Sequence, residues 1–218
     1  MFRLLTFGMT VLIESHYLPS LEYFSALLPY DEIRLEGWEY FPKQTYRNRC
    51  YVNTAQGRKM LTVPLADRSG KIFTKDVRVE PGRGWRNNHW RTIESAYRKA
   101  PFFDHYSPEL KTILFEGHDY LLELNRDLLS FCLRNGRVNK TVAVTVSYAE
   151  DAGTDDFNMR SVISDKKPFV TRNYYRPVPY YQVFGSEFVS NLSFIDLLLC
   201  EGPGAMAILK TNSPGMNK

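Results

Sequence analysis

The order of apolar and polar positions predicts the elements first. Thr10–Ser15 is a short β-branched apolar stretch and reads as a strand. His16-Tyr17-Leu18-Pro19-Ser20 then opens a helix to about Leu28: Pro19 and Ser20 suit a helix start, and Leu21, Phe24, Ala26, Leu27 and Leu28 form its stripe. Tyr30-Asp31 ends that helix, and Glu32–Glu36 alternates as a strand. Arg49–Thr54 and Lys59–Pro64 flank Ala55-Gln56-Gly57-Arg58, a hairpin in which Gly57 takes the positive φ of the turn. Lys75–Glu80 alternates too, with Val77 and Val79 inward, so a further strand is predicted before the Pro81-Gly82-Arg83-Gly84 loop.

Helical spacing dominates the middle of the chain. Trp85 to Ala100 places His89, Ile93, Ala96 and Tyr97 on one face, and Pro101 stops it. A long helix is predicted from Pro108 through Leu133, capped by Gly136. Lys140–Ser147 reads as a strand. Glu150–Asp156 reads as a solvated acidic loop without the alternating acid spacing of a calcium loop. Residues 157–179, rich in Arg, Lys, Tyr and Pro, are irregular and long enough for a lid or binding loop. Ser193–Leu199 is a short helix, with Ser193 as N-cap and Asp196 in a near capping box, ended by Glu201-Gly202-Pro203-Gly204. The mixture lacks regular βα alternation. It predicts an α+β fold: a single domain over 1–218 with a mixed β-sheet packed by several helices. Residues 1–8 read as an extension before Met9, and Asn212–Lys218 as a frayed tail.

Composition narrows the class. At 44% hydrophobic and 24% charged the chain suits a folded soluble domain. Its 14 Tyr and 14 Phe supply core and, where exposed, faces for sugars or bases. A net charge of +4, with Arg83, Arg86, Arg91, Arg98 and Lys99 clustered but no basic run, suits phosphate or carboxylate; no nucleic-acid partner is expected. Cys50, Cys132 and Cys200 are odd in number and far apart, which argues against a zinc site or disulfide framework and for reduced thiols in the cytoplasm. The N-terminal apolar run breaks at Glu14-Ser15-His16, too short to span a bilayer and without a cleavage site.

No P-loop, GxGxxG, HExxH, GxSxG or DxD motif is present, so ATP, NAD, zinc-protease and serine-hydrolase chemistries lose support. What remains is polar. Lys43-Gln44-Thr45-Tyr46-Arg47-Asn48-Arg49 gathers cations, amides and hydroxyls before a strand. Trp85 and His89 lie one helical turn apart, followed by Arg91; His89 reads either as acid or base or as a satisfied structural histidine. His16, directly after a strand and at a helix start, is a candidate site residue or a capping one. A Cys50–His89 nucleophile–base pair stands against an inert Cys50 buried in a strand. Nothing in the sequence demands a metal, and it leaves any cofactor open.

These stretches carry a resemblance. His16-Tyr17-Leu18-Pro19-Ser20…Tyr23-Phe24, Lys43 to Arg49, Leu61-Thr62-Val63-Pro64, Trp85…His89-Trp90-Arg91…Ala96-Tyr97…Ala100-Pro101-Phe102-Phe103, and Pro179-Tyr180-Tyr181-Gln182-Val183-Phe184…Asn191-Leu192-Ser193…Asp196…Glu201-Gly202 stand in the order of the WbqC-like protein family. The chain resembles its Bacteroidetes-type form from about Val11 to Leu209. The resemblance implies work in O-antigen or other surface-glycan biosynthesis, with acyl or glycyl transfer to an amino sugar as the reaction. Longer members carry an apolar, Gly-rich stretch where this chain has 150–178, and Glu14-Ser15 stands where many have Gln-Pro.

Under the transferase reading, His89 accepts the amine proton, with His16 as a second candidate. Asn48 and Arg49 hold the carbonyl oxygen. Lys43, Gln44 and Arg91 bind phosphate or carboxylate, and Trp85, Tyr97 and Tyr17 stack on the sugar. The partner is then a small-molecule glycan precursor or aminoacyl donor. The alternatives are a non-catalytic protein that binds such a precursor or a biosynthetic partner, and a purely structural hydrogen-bond network.

Overall fold

A computed structural model describes residues 8–66, 71–148 and 156–211. Along the chain run β1 (Thr10–Ile13), α1 (Leu21–Leu27), β2 (Glu32–Leu35), β3 (Arg49–Thr54), β4 (Gly57–Thr62), α2 (Gly84–Tyr97), α3 (Phe103–Phe115), α4 (Leu121–Asn135), β5 (Thr141–Val144), β6 (Asp156–Asn158), α5 (Phe194–Glu201) and α6 (Ala205–Thr211). β5, β2, β1 and β6 form a parallel four-stranded sheet in that order, and β3 pairs with β4 as an antiparallel hairpin. The α+β expectation holds, with the two pairing senses in separate sheets.

Register explains which sheet face is core. Val11 and Ile13 of β1 align with Ile33 and Leu35 of β2, and all four are buried in the main hydrophobic cluster. Leu12, Arg34 and Ala143 occupy the opposite face, along a groove of about 290 Å³ that continues to Ser147. Every side chain of α1 is buried, including Glu22. Phe24 stacks on Phe194 of α5 at 4.0 Å, and Leu21 N donates to Leu192 O while Phe194 N donates to Pro19 O. The C-terminal helices thus clamp the start of α1. Ser20 caps it as expected, accepting from Tyr23 N.

Four expectations change. Lys75–Glu80 is not a laddered strand: a 3-10 turn (Thr74–Asp76) precedes two isolated bridges, Arg78 to Tyr120 and Val79 to Leu65, though Val77 and Val79 do point inward. The long helix from Pro108 is two helices. Pro108 lies inside α3, which begins five residues earlier at Phe103, and Gly117 at φ +87° turns the chain before α4. β6 occupies Asp156–Asn158, where an acidic loop and then irregular chain were expected; residues 149–155 lie outside the described residues. At α5 no capping box forms: Ser193 makes no side-chain cap bond, and Asp196 turns instead to Tyr180 and Gln182. Residues 1–7 of the expected extension and the expected tail, 212–218, also lie outside the described residues. Among those described, no helix is long and apolar enough to cross a membrane.

Candidate functional site

In an open parallel sheet, ligands bind beyond the carboxyl ends of the strands, where neighbouring connections diverge. β1 has β2 on one side and β6 on the other, and charged residues follow each of these strand ends. Glu14, Ser15 and His16 leave β1; Glu36 leaves β2; Thr145 leaves β5; Arg160 and Ser161 leave β6.

Glu14 and His16 are the centre. Both are buried, and His16 Nε2 lies 3.4 Å from Glu14 Oε1. Glu14 Oε2 accepts from Ser161 N at 2.8 Å, and Arg47 stands 3.7 Å from Oε1. The His16 ring stacks between Tyr23 at 4.1 Å and Tyr46 at 5.3 Å. Its Nδ1 is buried with no hydrogen-bond partner. Burial holds the His16 pKa below the usual histidine value, although Glu14 pulls the other way. Burial disfavours the Glu14 carboxylate, yet His16, Arg47 and the Ser161 amide together bring it below the ordinary range. At neutral pH the pair is therefore carboxylate and neutral imidazole. The carboxylate accepts a hydrogen bond from Nε2–H, which leaves the Nδ1 lone pair free.

Further pairs surround this centre. Arg47 bonds Glu39 through Nε at 3.0 Å, and its backbone oxygen accepts from Asn125 Nδ2, which also donates to Ser15 Oγ. Glu36 accepts from Arg160 at 3.1 Å, from Thr145 Oγ1 and from Trp38 N. Arg172 donates from Nε and Nη2 to the two Glu22 oxygens, at 2.6 and 2.8 Å. The segment after β6, read from sequence as a lid or binding loop, packs over the cluster through Ser161 and Arg172, with Met159, Ile163 and Tyr175 buried.

The other named residues fall elsewhere. His89 Nδ1 meets Tyr17 Oη at 2.9 Å and Nε2 meets Thr62 O at 3.2 Å, so both ring nitrogens are occupied. Burial lowers its pKa to about 4. Cys50 is buried, its thiol pushed far up by burial, and no ring nitrogen of His89 is left to activate it. Tyr17 and Tyr97 are buried in the core, without an open face. Asn48 donates to Val63 O and keeps an unpartnered Oδ1, whereas Arg49 keeps an unpartnered buried Nε, a donor. Arg49 pairs with Thr62 across the hairpin, so Asn48, Arg49, Tyr17, Trp85 and His89 are neighbours. Trp85 is half-buried and donates to Glu80 O; Lys43, Gln44 and Arg91 are exposed. Of the four named catalytic candidates, His16 alone lies at the strand-end cluster. Glu14, Glu22, Glu36, Glu39, Arg47, Arg160 and Arg172 were not singled out as site residues. For Glu14 and Glu36 the available signal was a charged residue directly after an apolar strand; the others carried none.

One group among the described residues has metal-ligand spacing: Glu116, His118 and Asp127, with donor atoms within 4.8 Å of one another. His118 Nε2 bonds Asp127 at 2.9 Å, while its Nδ1 lacks the orienting partner of a metal-bound imidazole. Arg126 also engages Asp127. An ion pair accounts for the arrangement.

Residues 14–165 match the WbqC-like protein family. An uncharacterised protein of Mycobacterium tuberculosis is 32% identical over 122 residues, covering 55% of this chain and 52% of that relative. The chain thus spans about half the length of the curated relative it matches. No solved structure matches.

Proposed function

The chain belongs to the WbqC-like protein family, and on that premise we propose that it is a transferase joining an acyl or glycyl group to the amine of an amino-sugar precursor in surface-polysaccharide or O-antigen biosynthesis. The observation that carries the reading is the unpartnered Nδ1 of His16, backed by Glu14 at the carboxyl end of a parallel sheet. The amine nitrogen attacks the donor carbonyl. A C–N bond forms, the bond to the leaving group breaks, and the amine proton passes to His16 Nδ1 and on to the leaving group. Glu14 holds the tautomer and stabilises the imidazolium that forms. Four carboxylates, Glu14, Glu22, Glu36 and Glu39, face three guanidiniums, Arg47, Arg160 and Arg172, an imbalance that favours an amine-bearing ligand. Arg49, with its spare Nε, is the donor for a carbonyl or phosphate oxygen on the hairpin side.

We place the reaction in the cytoplasm, with residues 1–218 acting as one domain. His16 Nδ1 is buried, and the segment after β6 is held to Glu14 beside it by Ser161 N; in this reading that segment lifts to admit substrate. A second reading, a binding protein for the same precursors without turnover, draws on that enclosure. The test is mass-spectrometric detection of amide product from glucosamine and glycyl thioester or aminoacyl-tRNA donors. Product from the wild type supports transfer. Binding of the same panel with no product from any donor would favour the second reading.

A further inference from the structure

A stack of aromatic side chains, Trp38, Tyr40 and Phe73, lies outside the main hydrophobic cluster. Gly37–Phe41 is zipped to Ile72–Lys75 by backbone bonds: Phe41 N to Ile72 O, Thr74 N to Glu39 O and Lys75 N to Gly37 O. This brings Tyr40 and Phe73 face to face, ring centroids 4.9 Å apart and 9° from parallel, with Trp38 tilted against Phe73 at 5.9 Å. Trp38 is fixed by two further bonds, Nε1 to Thr145 O and backbone N to Glu36 Oε1. Tyr40 nevertheless stays 56% exposed. Two amines flank the shelf: Lys71 Nζ is 5.6 Å from the Tyr40 centroid and Lys75 Nζ is 4.5 Å from that of Trp38. Lys75 is held by Asp76, while Lys71 is exposed.

The shelf is linked to the candidate site through one chain of ion pairs. Glu39, between Trp38 and Tyr40, bonds Arg47, and Arg47 reaches Glu14 beside His16. A rigid, exposed aromatic ring with a solvent-exposed ammonium 5.6 Å over it suits a ring that presents C–H bonds and carries an anion, the flexible lysine moving to the anion as the ring stacks. Of the stacking residues expected from sequence, Tyr17 and Tyr97 have no open face to offer, and Trp85 is half-buried beside His89. We infer that Tyr40, stacked on Phe73, is the platform for the pyranose ring of a sugar phosphate, with Lys71 on the phosphate. This deepens the transferase reading and rests on it for the choice of a sugar.

The probe is glucosamine 1-phosphate, titrated calorimetrically into the full chain, with glucosamine, inorganic phosphate and UMP as comparisons. The wild type binds the sugar phosphate more tightly than either of its parts. Tyr40→Ala weakens binding about tenfold, Tyr40→Phe leaves it within about twofold, and Lys71→Ala weakens it severalfold. Each variant melts with the wild type, since these side chains lie outside the core. Affinity unchanged in Tyr40→Ala, or no binding by the wild type, overturns the platform. Inorganic phosphate binding as tightly as the sugar phosphate overturns the stacking part. UMP binding that depends on Tyr40, without glucosamine 1-phosphate binding, assigns the shelf to a base and overturns the sugar. Tyr40-dependent binding without His16-dependent amide formation sinks the transferase and leaves the shelf standing.

Discussion

Glu14 and His16 leave β1 two residues apart and turn back on one another, Oε1 lying 3.4 Å from Nε2 while Nδ1 meets no partner. The contact fixes a tautomer before any substrate arrives. Nitrogen-detected NMR will therefore show His16 neutral and protonated on Nε2 at pH 6.5, where a free histidine is half charged. An imidazolium at that pH would remove the free lone pair on which the mechanism depends.

The Arg172–Glu22 pair bears on stability. Glu22 is fully buried, and Arg172 supplies its countercharge through two bonds. Arg172→Ala leaves that charge uncompensated and will cost about 3–5 kcal/mol in urea denaturation. Adding Glu22→Leu will recover most of the loss, because replacing both members of a buried pair costs far less than removing one. A single variant as stable as the wild type would show the pair to be idle.

His89 makes stability depend on pH. Its folded pKa is about 4 against 6.5 unfolded, so between these values the unfolded chain binds the extra proton. Stability is complete above pH 6.5 and falls as pH drops toward 4, by about 3 kcal/mol at most for this residue. His16 acts in the same sense. Melts at pH 7 and pH 4.5 will show a smaller acid loss in His89→Gln than in the wild type; equal losses would mean that His89 does not contribute.

All three thiols are buried, and burial raises each pKa. A thiol reagent will label native protein slowly and the denatured chain at Cys50, Cys132 and Cys200 together. Rapid native labelling of Cys50 would revive it as a nucleophile.

Much of the fold was legible because patterning and turn chemistry agreed. Val11, Ile13, Ile33 and Leu35 alternate as they pack, and Gly57 turns the hairpin. Legibility failed where tertiary contacts decided. Val77 and Val79 alternate like a strand but lack a continuous neighbour, so only bridges form. Pro108 reads as a helix start because its missing N–H is free of cost there; packing of Phe103 and Tyr106 starts the helix earlier. The site was harder still. Spacing put His89 on a functional-looking face, yet that face is the core, and Tyr17 and Thr62 occupy its nitrogens. Glu14, Glu36 and Arg160 come from distant positions, and the parallel order β5-β2-β1-β6 brings their strand ends together, while Arg47 and Arg172 reach the cluster from loops.

The most direct test of the account is amide formation by His16→Gln and His89→Gln, each compared with the wild type at temperatures where all three are folded. The account predicts that His16→Gln lowers kcat by about a hundredfold or more, the usual contribution of a general base, while His89→Gln stays within a few-fold. Full activity in His16→Gln, or a collapse confined to His89→Gln, would contradict it and move the chemistry to the hairpin side.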